Sequence, residues 1–184
     1  GYPLVMKILS PDISHKTEAN GIRTDLKNQQ DIEEAYQHVT AAAREYDAGA
    51  EIQGVSLQPM IQDANVELLI GAKQDPNFGP VVLFGMGGIF AEVLGDRNIG
   101  LPPLNRTLAR RLMEPTKAYT LLTGYRNMPK VDLDYFELLL VCLSHILVDF
   151  PEIAELDMNP VMVKNGRPVA VDARGMIQRT RIQP

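Results

Sequence analysis

The sequence has one cysteine, no tryptophan and few aromatic residues of any kind. The single thiol of Cys142 excludes an internal disulfide, and its apolar neighbours predict a buried side chain in a protein of the reducing cytoplasm. No apolar run approaches the roughly 20 residues of a membrane-spanning helix, and no signal-peptide pattern is present, so we expect no membrane contact.

Lysine and arginine are outnumbered by aspartate and glutamate, 18 to 23. A formal net charge of -5 argues against a nucleic-acid partner, because such proteins neutralise phosphates with Lys and Arg.

Apolar residues, in contrast, are plentiful. They make up 45% of the 184 residues, which is typical of one globular domain or of two lobes. The first three residues lead directly into a predicted strand, so we expect the chain to be part of a longer polypeptide.

Hydrophobic spacing and turn residues predict an α+β fold with mostly antiparallel sheet. Capping residues Asp31, Asn105 and Asp132 mark the starts of three predicted helices. These helices span 32–46, about 106–122 and 133–149. The predicted strands span 3–9, 52–61, 66–73, 79–85, 89–94, 153–164 and 168–174, and the second and third of them are expected to form a hairpin.

The strongest turn signal is Asn165-Gly166, which favours a two-residue β-hairpin. Counting back from this turn places Asn159 opposite Asp172, and Asp157 opposite Arg174. Paired side chains lie about 5 Å apart at Cβ, so the oxygens of Asn159 and Asp172 can converge on one hard cation such as Mg²⁺. Asp157 shares the oxygen-rich side of its strand with Asn159. A solvated strand face is the alternative, and it is the commoner reason for alternating polar residues.

Two further segments have the composition of phosphate-binding elements. Lys7 lies among apolar residues, where an ammonium group needs an anionic partner, although an edge-strand lysine that points to water is an equal alternative. Gly87 and Gly88 permit close approach of the backbone to phosphate, and Glu92 after them could assist a metal or position a histidine. A tight turn between strands explains these glycines equally well.

Four segments, in the same order along the chain, resemble one family: Lys7–Thr17, Gln74–Val82, Gly85–Ile89 and Glu155–Pro160. It is the family of NDP-forming acyl-CoA synthetases, relatives of succinyl-CoA synthetase, and the resemblance is to their ATP-grasp domain. It implies a partial ATP-grasp fold that lacks the first part of the nucleotide-binding lobe. Residues up to about 50 would then complete the first lobe, and residues from about 51 to 184 would form the second. Asn20 departs from the pattern, because the family commonly has glycine there.

The resemblance also implies roles for individual residues. His15 matches the histidine that accepts a phosphoryl group, and Lys7 matches a contact to the nucleotide phosphates. Asn159 and Asp172 match the magnesium positions, with Glu92 and Asp157 as possible additions. The other implied ATP contacts are Gln58 and Met60 near adenine, Glu67 near ribose, and Gly87 and Gly88 near the phosphates.

The implied function is the ATP-binding part of an ADP-forming acid–CoA ligase, which relays phosphate between ATP and an acyl phosphate through phospho-His15, with Mg²⁺. The implied partners are an acyl-CoA substrate, a CoA-binding domain or subunit that carries the acyl-phosphate site, and further copies in an oligomer. The fragment alone would then be inactive. Two alternatives stay open. One is a non-catalytic acyl-CoA or nucleotide sensor fused to a lysine acetyltransferase, and the other is an ATP-grasp ligase that phosphorylates a carboxylate without a histidine.

Overall fold

The computed structural model describes residues 1–88, 95–126 and 130–178. The chain divides into two compact units, Gly1–Met60 and Ile61–Pro184. Residues 54–59 belong to the first unit, because they are hydrogen-bonded into its sheet. All strand pairs described are antiparallel, which confirms the predicted α+β class.

The first unit is a three-stranded sheet covered by one helix, with strand order β2-β1-β3. Its elements are β1 (Leu4–Leu9), β2 (Ile22–Leu26), α1 (Gln29–Tyr46) and β3 (Gly54–Pro59). The side chain of Asn28 caps α1 by accepting a hydrogen bond from the backbone N–H of Asp31, so the helix begins earlier than the predicted cap at Asp31. Apolar residues of α1, among them Val39, pack against Met6 and Ile8 of β1.

The predicted hairpin between residues 52–61 and 66–73 is wrong. The whole of β3 pairs with β1 instead, with Leu4 opposite Pro59 and Leu9 opposite Gly54. Alternating apolar residues show that one face of a strand is buried, but they do not specify which strand it pairs with. The short strand β2 was not predicted.

The second unit is a larger sheet with strand order β6-β5-β4-β7-β8, in which β9 also pairs with β7. Its strands are β4 (Glu67–Asp75), β5 (Gly79–Met86), β6 (Arg97–Gly100), β7 (Ile153–Lys164), β8 (Arg167–Ala170) and β9 (Arg174–Ile177). Its helices are α2 (Arg106–Met113), α3 (Lys117–Leu122) and α4 (Leu133–Asp149). The helices share one core with alternate residues of β4, β5 and β7, including Ile70, Phe84 and Val161. The remaining residues of these strands therefore belong to the opposite face of the sheet.

The single helix predicted for residues 106–122 is in fact two helices. Pro115 lies between α2 and α3 and has no N–H to continue the helical hydrogen bonds. Thr116 then caps α3, because its side chain accepts a hydrogen bond from the backbone N–H of Tyr119.

Helix α4 has the predicted bounds and the predicted cap at Asp132. Cys142, however, is exposed, so its predicted burial is wrong. The buried stripe of α4 follows helical spacing through Phe136, Leu140, Leu143 and Leu147. Cys142 lies off this stripe.

The strand predicted at 89–94, which contains Glu92, lies outside the described residues. The short edge strand β6 was not predicted. None of the helices in the described ranges has both the length and the apolar composition that a bilayer crossing requires.

Candidate functional site

The loop Ser10–Gly21, called the histidine segment below, joins β1 to β2 in the first unit. His15 lies near its middle, and 66% of its side chain is exposed. Its Nδ1 is 3.8 Å from the Glu18 Oε1, so the two groups attract each other only when the imidazole is protonated. The structure therefore presents the imidazole to solvent, where a reacting group can approach it.

Contacts within the first unit hold the histidine segment on both sides of His15. Ile13 is 1% exposed and Ala19 is 2% exposed, and both belong to the core that contains Ile8. The Asp12 carboxylate also accepts a hydrogen bond of 2.8 Å from the backbone N–H of Glu51. The segment is thus a docked structure with one exposed tip.

The segment ends in a close backbone contact with β1. The backbone N–H of Ile8 donates a hydrogen bond of 2.8 Å to the Gly21 carbonyl, and a Cβ at Gly21 would lie only 2.5 Å from the Ile8 Cγ2. The preceding Asn20 has a φ of 49°. Asparagine tolerates this left-handed conformation better than most residues, so Asn20 is compatible with a backbone that glycine would also adopt.

Lys7 lies on the central strand of the first sheet and is only 7% exposed. The alternative of an edge lysine that points to water is therefore wrong. Lys7 pairs with Ser56 of β3, and Gln58 lies on the same face of the sheet because side chains alternate along a strand. Beyond β3, the backbone N–H of Met60 donates to the Pro3 carbonyl at 3.0 Å. Two predicted ATP contacts, Lys7 and Gln58, thus share the face opposite α1.

The predicted register of the carboxylate hairpin is confirmed. Lys164 pairs with Arg167 across the turn, and Asp157 pairs with Arg174 further along. The predicted strand 168–174 is interrupted, because β8 ends at Ala170 and β9 begins at Arg174. Asp172 lies in this interruption, and the unchanged register on both sides places it level with Asn159.

The glycine loop after β5 meets Asn159 and Glu67. The backbone N–H of Gly88 donates a hydrogen bond of 3.2 Å to the Asn159 Oδ1. The backbone N–H of Gly87 donates to the Glu67 carbonyl at 2.9 Å, and a Cβ at Gly88 would overlap the Glu67 carboxylate. The second unit therefore brings four of the predicted site residues together.

Gly87 also has a purely structural explanation. A Cβ at this position would overlap the backbone of Leu68, so the loop packs against β4 only without a side chain there.

Negative charge accumulates around Asp157. Partial burial raises the pKa of its carboxyl, the neighbouring charges of Glu155 and Asp172 raise it further, and Arg174 opposes them. A cation close to these oxygens would lower that pKa again. The electrostatics of this face therefore favour a bound cation.

The Asn159–Asp172 pair has the donor chemistry that a Mg²⁺ ion would need. Among the residues that the structure describes, no group of three His, Cys, Asp or Glu side chains could hold a metal. Mg²⁺ commonly takes only one or two protein oxygens and completes its coordination with phosphate and water. The amide oxygen of Asn159 on β7 and the carboxylate of Asp172 between β8 and β9 meet that requirement in kind and number.

Sequence reasoning missed residues that support the site. The Asp96 carboxylate accepts hydrogen bonds from the backbone N–H groups of Lys117 and Ala118, at 2.7 and 2.9 Å, and its carbonyl accepts one from Met86. Asp96 thereby ties the end of β5 to α3. The buried Ile13 was also missed, although an isolated apolar residue in a polar loop is a signal for such an anchor.

Residues 1–177 match the family described as the ATP-grasp domain, so the chain belongs to that family. It is 37% identical over 174 residues to the β subunit of the ADP-forming acetate–CoA ligase I of Pyrococcus furiosus, a match that covers 95% of this chain and 75% of that subunit. This similarity places the chain with the ADP-forming acyl-CoA synthetases, as the motifs predicted. The acetate–CoA ligase I of Archaeoglobus fulgidus is also 37% identical, and the chain spans only 25% of its length.

Solved structures of an acetyl-CoA synthetase from Ca. Korarchaeum cryptofilum share the fold. One, with coenzyme A, Ca-AMPCP and HgCl+, has a TM-score of 0.90 and 36% identity, covering 97% of this chain and 77% of that one. Another, with coenzyme A and Mg-AMPPCP, has a phosphohistidine segment that points towards the nucleotide site (TM-score 0.80, 34% identity, coverage 97% and 78%). A third, with coenzyme A and acetyl-coenzyme A, has a phosphorylated phosphohistidine segment in the site I orientation (TM-score 0.82, 35% identity, coverage 97% and 77%).

Proposed function

We propose that this chain is the ATP-binding part of an ADP-forming acid–CoA ligase, and that His15 carries phosphate between ATP and an acyl phosphate. The observation that carries the proposal is the exposed imidazole at the tip of a docked segment, in a chain 37% identical to a ligase β subunit. Covalent relay divides one long phosphoryl transfer into two shorter ones.

In the first half-reaction, a ring nitrogen of His15 attacks the γ-phosphorus of ATP. The N–P bond forms, the bond from phosphorus to the β–γ bridging oxygen breaks, and ADP leaves. In the second half-reaction, a carboxylate oxygen attacks the same phosphorus and the N–P bond breaks. The thiolate of CoA then displaces phosphate from the acyl phosphate, which yields acyl-CoA.

The other site residues would bind and orient the nucleotide. The ammonium group of Lys7 lies on the same face as Gln58, so one lysine and one amide can contact the same ligand. Asn159 and Asp172 would hold Mg²⁺, which neutralises charge on the phosphate oxygens. The loop at Gly87 and Gly88 lies next to that position, because the Gly88 N–H donates to the Asn159 Oδ1.

The sites for the acyl phosphate and for CoA belong to a partner domain or subunit in this proposal. Since the chain spans 25% of a single-chain relative, we assign the acyl-phosphate and CoA sites to a separate domain or subunit, and we expect an oligomer of the complete protein. The cytoplasm, with its pools of ATP and CoA, is the proposed compartment.

The experiment is labelling of the full-length protein with γ-labelled ATP and Mg²⁺. We expect a label that is labile in acid and stable in alkali, and that disappears in His15→Ala. His38→Ala is the matched control, because His38 is another exposed histidine of the first unit, and it should keep the label. Undiminished labelling of His15→Ala would overturn the proposal.

The same experiment separates the alternatives. A ligase that phosphorylates a carboxylate directly would give acyl phosphate without labelled protein. A sensor would bind nucleotide without any label, and the ligases reported above give no support to that alternative.

A further inference from the structure

The length of the tether between His15 and its nearest anchor limits how far the imidazole can travel. His15 follows Ile13 by two residues, and an extended chain spans at most about 3.5 Å per residue. While Ile13 stays in the core, the Cα of His15 can therefore lie no further than about 7 Å from that of Ile13.

Release of both Ile13 and the Asp12 carboxylate, which accepts a hydrogen bond from the Glu51 N–H, changes this limit. The next fixed point on that side is Leu9, the last residue of β1, whose carbonyl accepts a hydrogen bond of 2.8 Å from the backbone N–H of Gln53. On the other side, once Ala19 also leaves the core, Gly21 is held by its hydrogen bond to Ile8. His15 is six positions along the chain from each of these points, so its reach grows to about 20 Å.

We propose that Asp12 and Ile13 form a latch that holds His15 in the position in which it reacts with one of its two partners. Both contacts must be released before His15 can react with the other partner. This inference rests on the proposed function, in which His15 serves two reaction partners. A carrier that meets ATP and then an acyl group must reach two ligands, and one structure of the Korarchaeum enzyme has its phosphohistidine segment pointing towards the nucleotide site. Asp12 and Ile13 act through His15 and are therefore positioning residues.

The two latch residues differ in what they contribute. The side chain of Ile13 is in the core, so opening the latch exposes apolar surface to water. The hydrogen bond from the Glu51 N–H to Asp12 is exposed and therefore weaker, but it fixes the chain immediately before Ile13. Ile13 should thus dominate the strength of the latch, and Asp12 should adjust it.

The test compares both half-reactions in the full-length protein. The first rate is that at which γ-labelled ATP labels His15. The second is the rate at which the label is lost after acetate and CoA are added. Ile13→Ala should change the ratio of the two rates by about tenfold, and Asp12→Ala should change it about threefold. Asp12→Asn should stay close to wild type, because its amide oxygen can accept the same hydrogen bond.

A second readout needs no acyl acceptor. Trypsin cleaves after lysine, and the carbonyl of Lys16 accepts a hydrogen bond of 2.8 Å from Gly21 in the docked segment. Opening the latch removes this protection, so cleavage after Lys16 should be about tenfold faster in Ile13→Ala. Unchanged cleavage would overturn the latch.

Matched controls separate a latch from general stability. Val39→Ala truncates another fully buried residue of the same core, and Asp47→Ala removes another exposed carboxylate that accepts a backbone N–H, from Gly49 at 2.9 Å. Both should leave the ratio of the half-reactions unchanged. If Ile13→Ala fails to fold, Ile13→Val should give a smaller shift in the same direction.

The failures of the two proposals are distinguishable. A wild-type protein that takes no label contradicts the relay itself. A wild-type protein that is labelled, with an equal loss of both half-reactions in Ile13→Ala and Val39→Ala, contradicts only the latch.

Discussion

The histidine segment and the carboxylate hairpin are held in place by different kinds of interaction. A few side chains dock the histidine segment, chiefly Asp12, Ile13 and Ala19. The hairpin, in contrast, contains the long strand β7, which pairs with β4, β8 and β9. A few independent side-chain contacts can be released together at a modest cost in free energy. The backbone hydrogen bonds between β7 and its neighbouring strands cannot be released so easily. We therefore expect movement of the proposed phosphate carrier His15 and a fixed position for Asn159 on β7.

The largest expected effect concerns the carboxylate hairpin and its proposed magnesium ligand Asp172. Asp172→Ala should reduce Mg²⁺-dependent labelling of His15 about 100-fold or more, because it removes the only carboxylate of the proposed magnesium pair. Thermal unfolding should be measured alongside, because Asp172 is half-buried. Asp149→Ala removes an exposed carboxylate elsewhere in the second unit, so it is the control and should label normally. Labelling within threefold of wild type would assign the cation to other residues.

The next effect tests the end of the histidine segment. A Cβ at Gly21 would lie 2.5 Å from the Ile8 Cγ2, so Gly21→Ala should destabilise the first unit by about 1–3 kcal/mol. Hydrogen exchange should show the loss in residues 1–60 and not in the second unit. Gly49→Ala is the control, because its Cβ would meet nothing closer than 3.5 Å. Equal effects of the two substitutions would show that the contact with Ile8 relaxes freely.

A related substitution tests the hairpin turn. Gly166 has a φ of 75°, a left-handed conformation that costs a residue with a Cβ about 1–2 kcal/mol. Gly166→Ala should therefore reduce the free energy of unfolding by that amount and lower the exchange protection of β7 and β8. Gly175→Ala has no such φ and should be milder. If protection in β8 is unaffected, the neighbouring strands alone maintain the register.

The smallest expected effect is the pH dependence of Asp157→Asn. Burial raises the pKa of Asp157, and the charges of Glu155 and Asp172 raise it further, so the folded protein binds this proton more tightly than the unfolded chain. The stabilising contribution is complete below the unfolded pKa of about 4 and is lost as the pH rises through the folded pKa.

With a chelator present, Asp157→Asn should consequently raise Tm by about 1–3 °C at pH 7, and the difference should vanish below about pH 4. Excess Mg²⁺ and nucleotide should shrink the gain, because a bound cation offsets the same repulsion. A lower Tm at neutral pH would contradict this electrostatic account.

Local rules were sufficient for the hairpin and for α4. The turn at Asn165-Gly166 specifies the pairing on both sides of it, so the register could be counted as far as Arg174. The cap at Asp132 likewise located the start of α4. Pro115 is a local signal as well, and it should have divided the helix predicted for 106–122.

Contacts between distant parts of the chain could not be predicted in the same way. The pairing of β3 with β1 brings together segments far apart in sequence, and no turn residue between them predicts it. His15 was singled out through a motif, and the proposed magnesium pair through both the hairpin count and a motif. The bond from Gly88 to Asn159 spans 71 positions and depends on the order of strands in the sheet. The anchoring of Ile13 depends in turn on the core formed by β1 and α1.

The hydrogen bond between Gly88 and Asn159 has a practical consequence. The Gly88 amide proton points at the oxygen that is proposed to meet the cation, so it is a built-in spectroscopic probe of that position. A cation on Asn159 withdraws electron density from the oxygen and weakens the bond that it accepts. The Gly88 resonance should then move upfield in an NMR titration with Mg²⁺, and this would report occupancy of the site before any chemistry occurs.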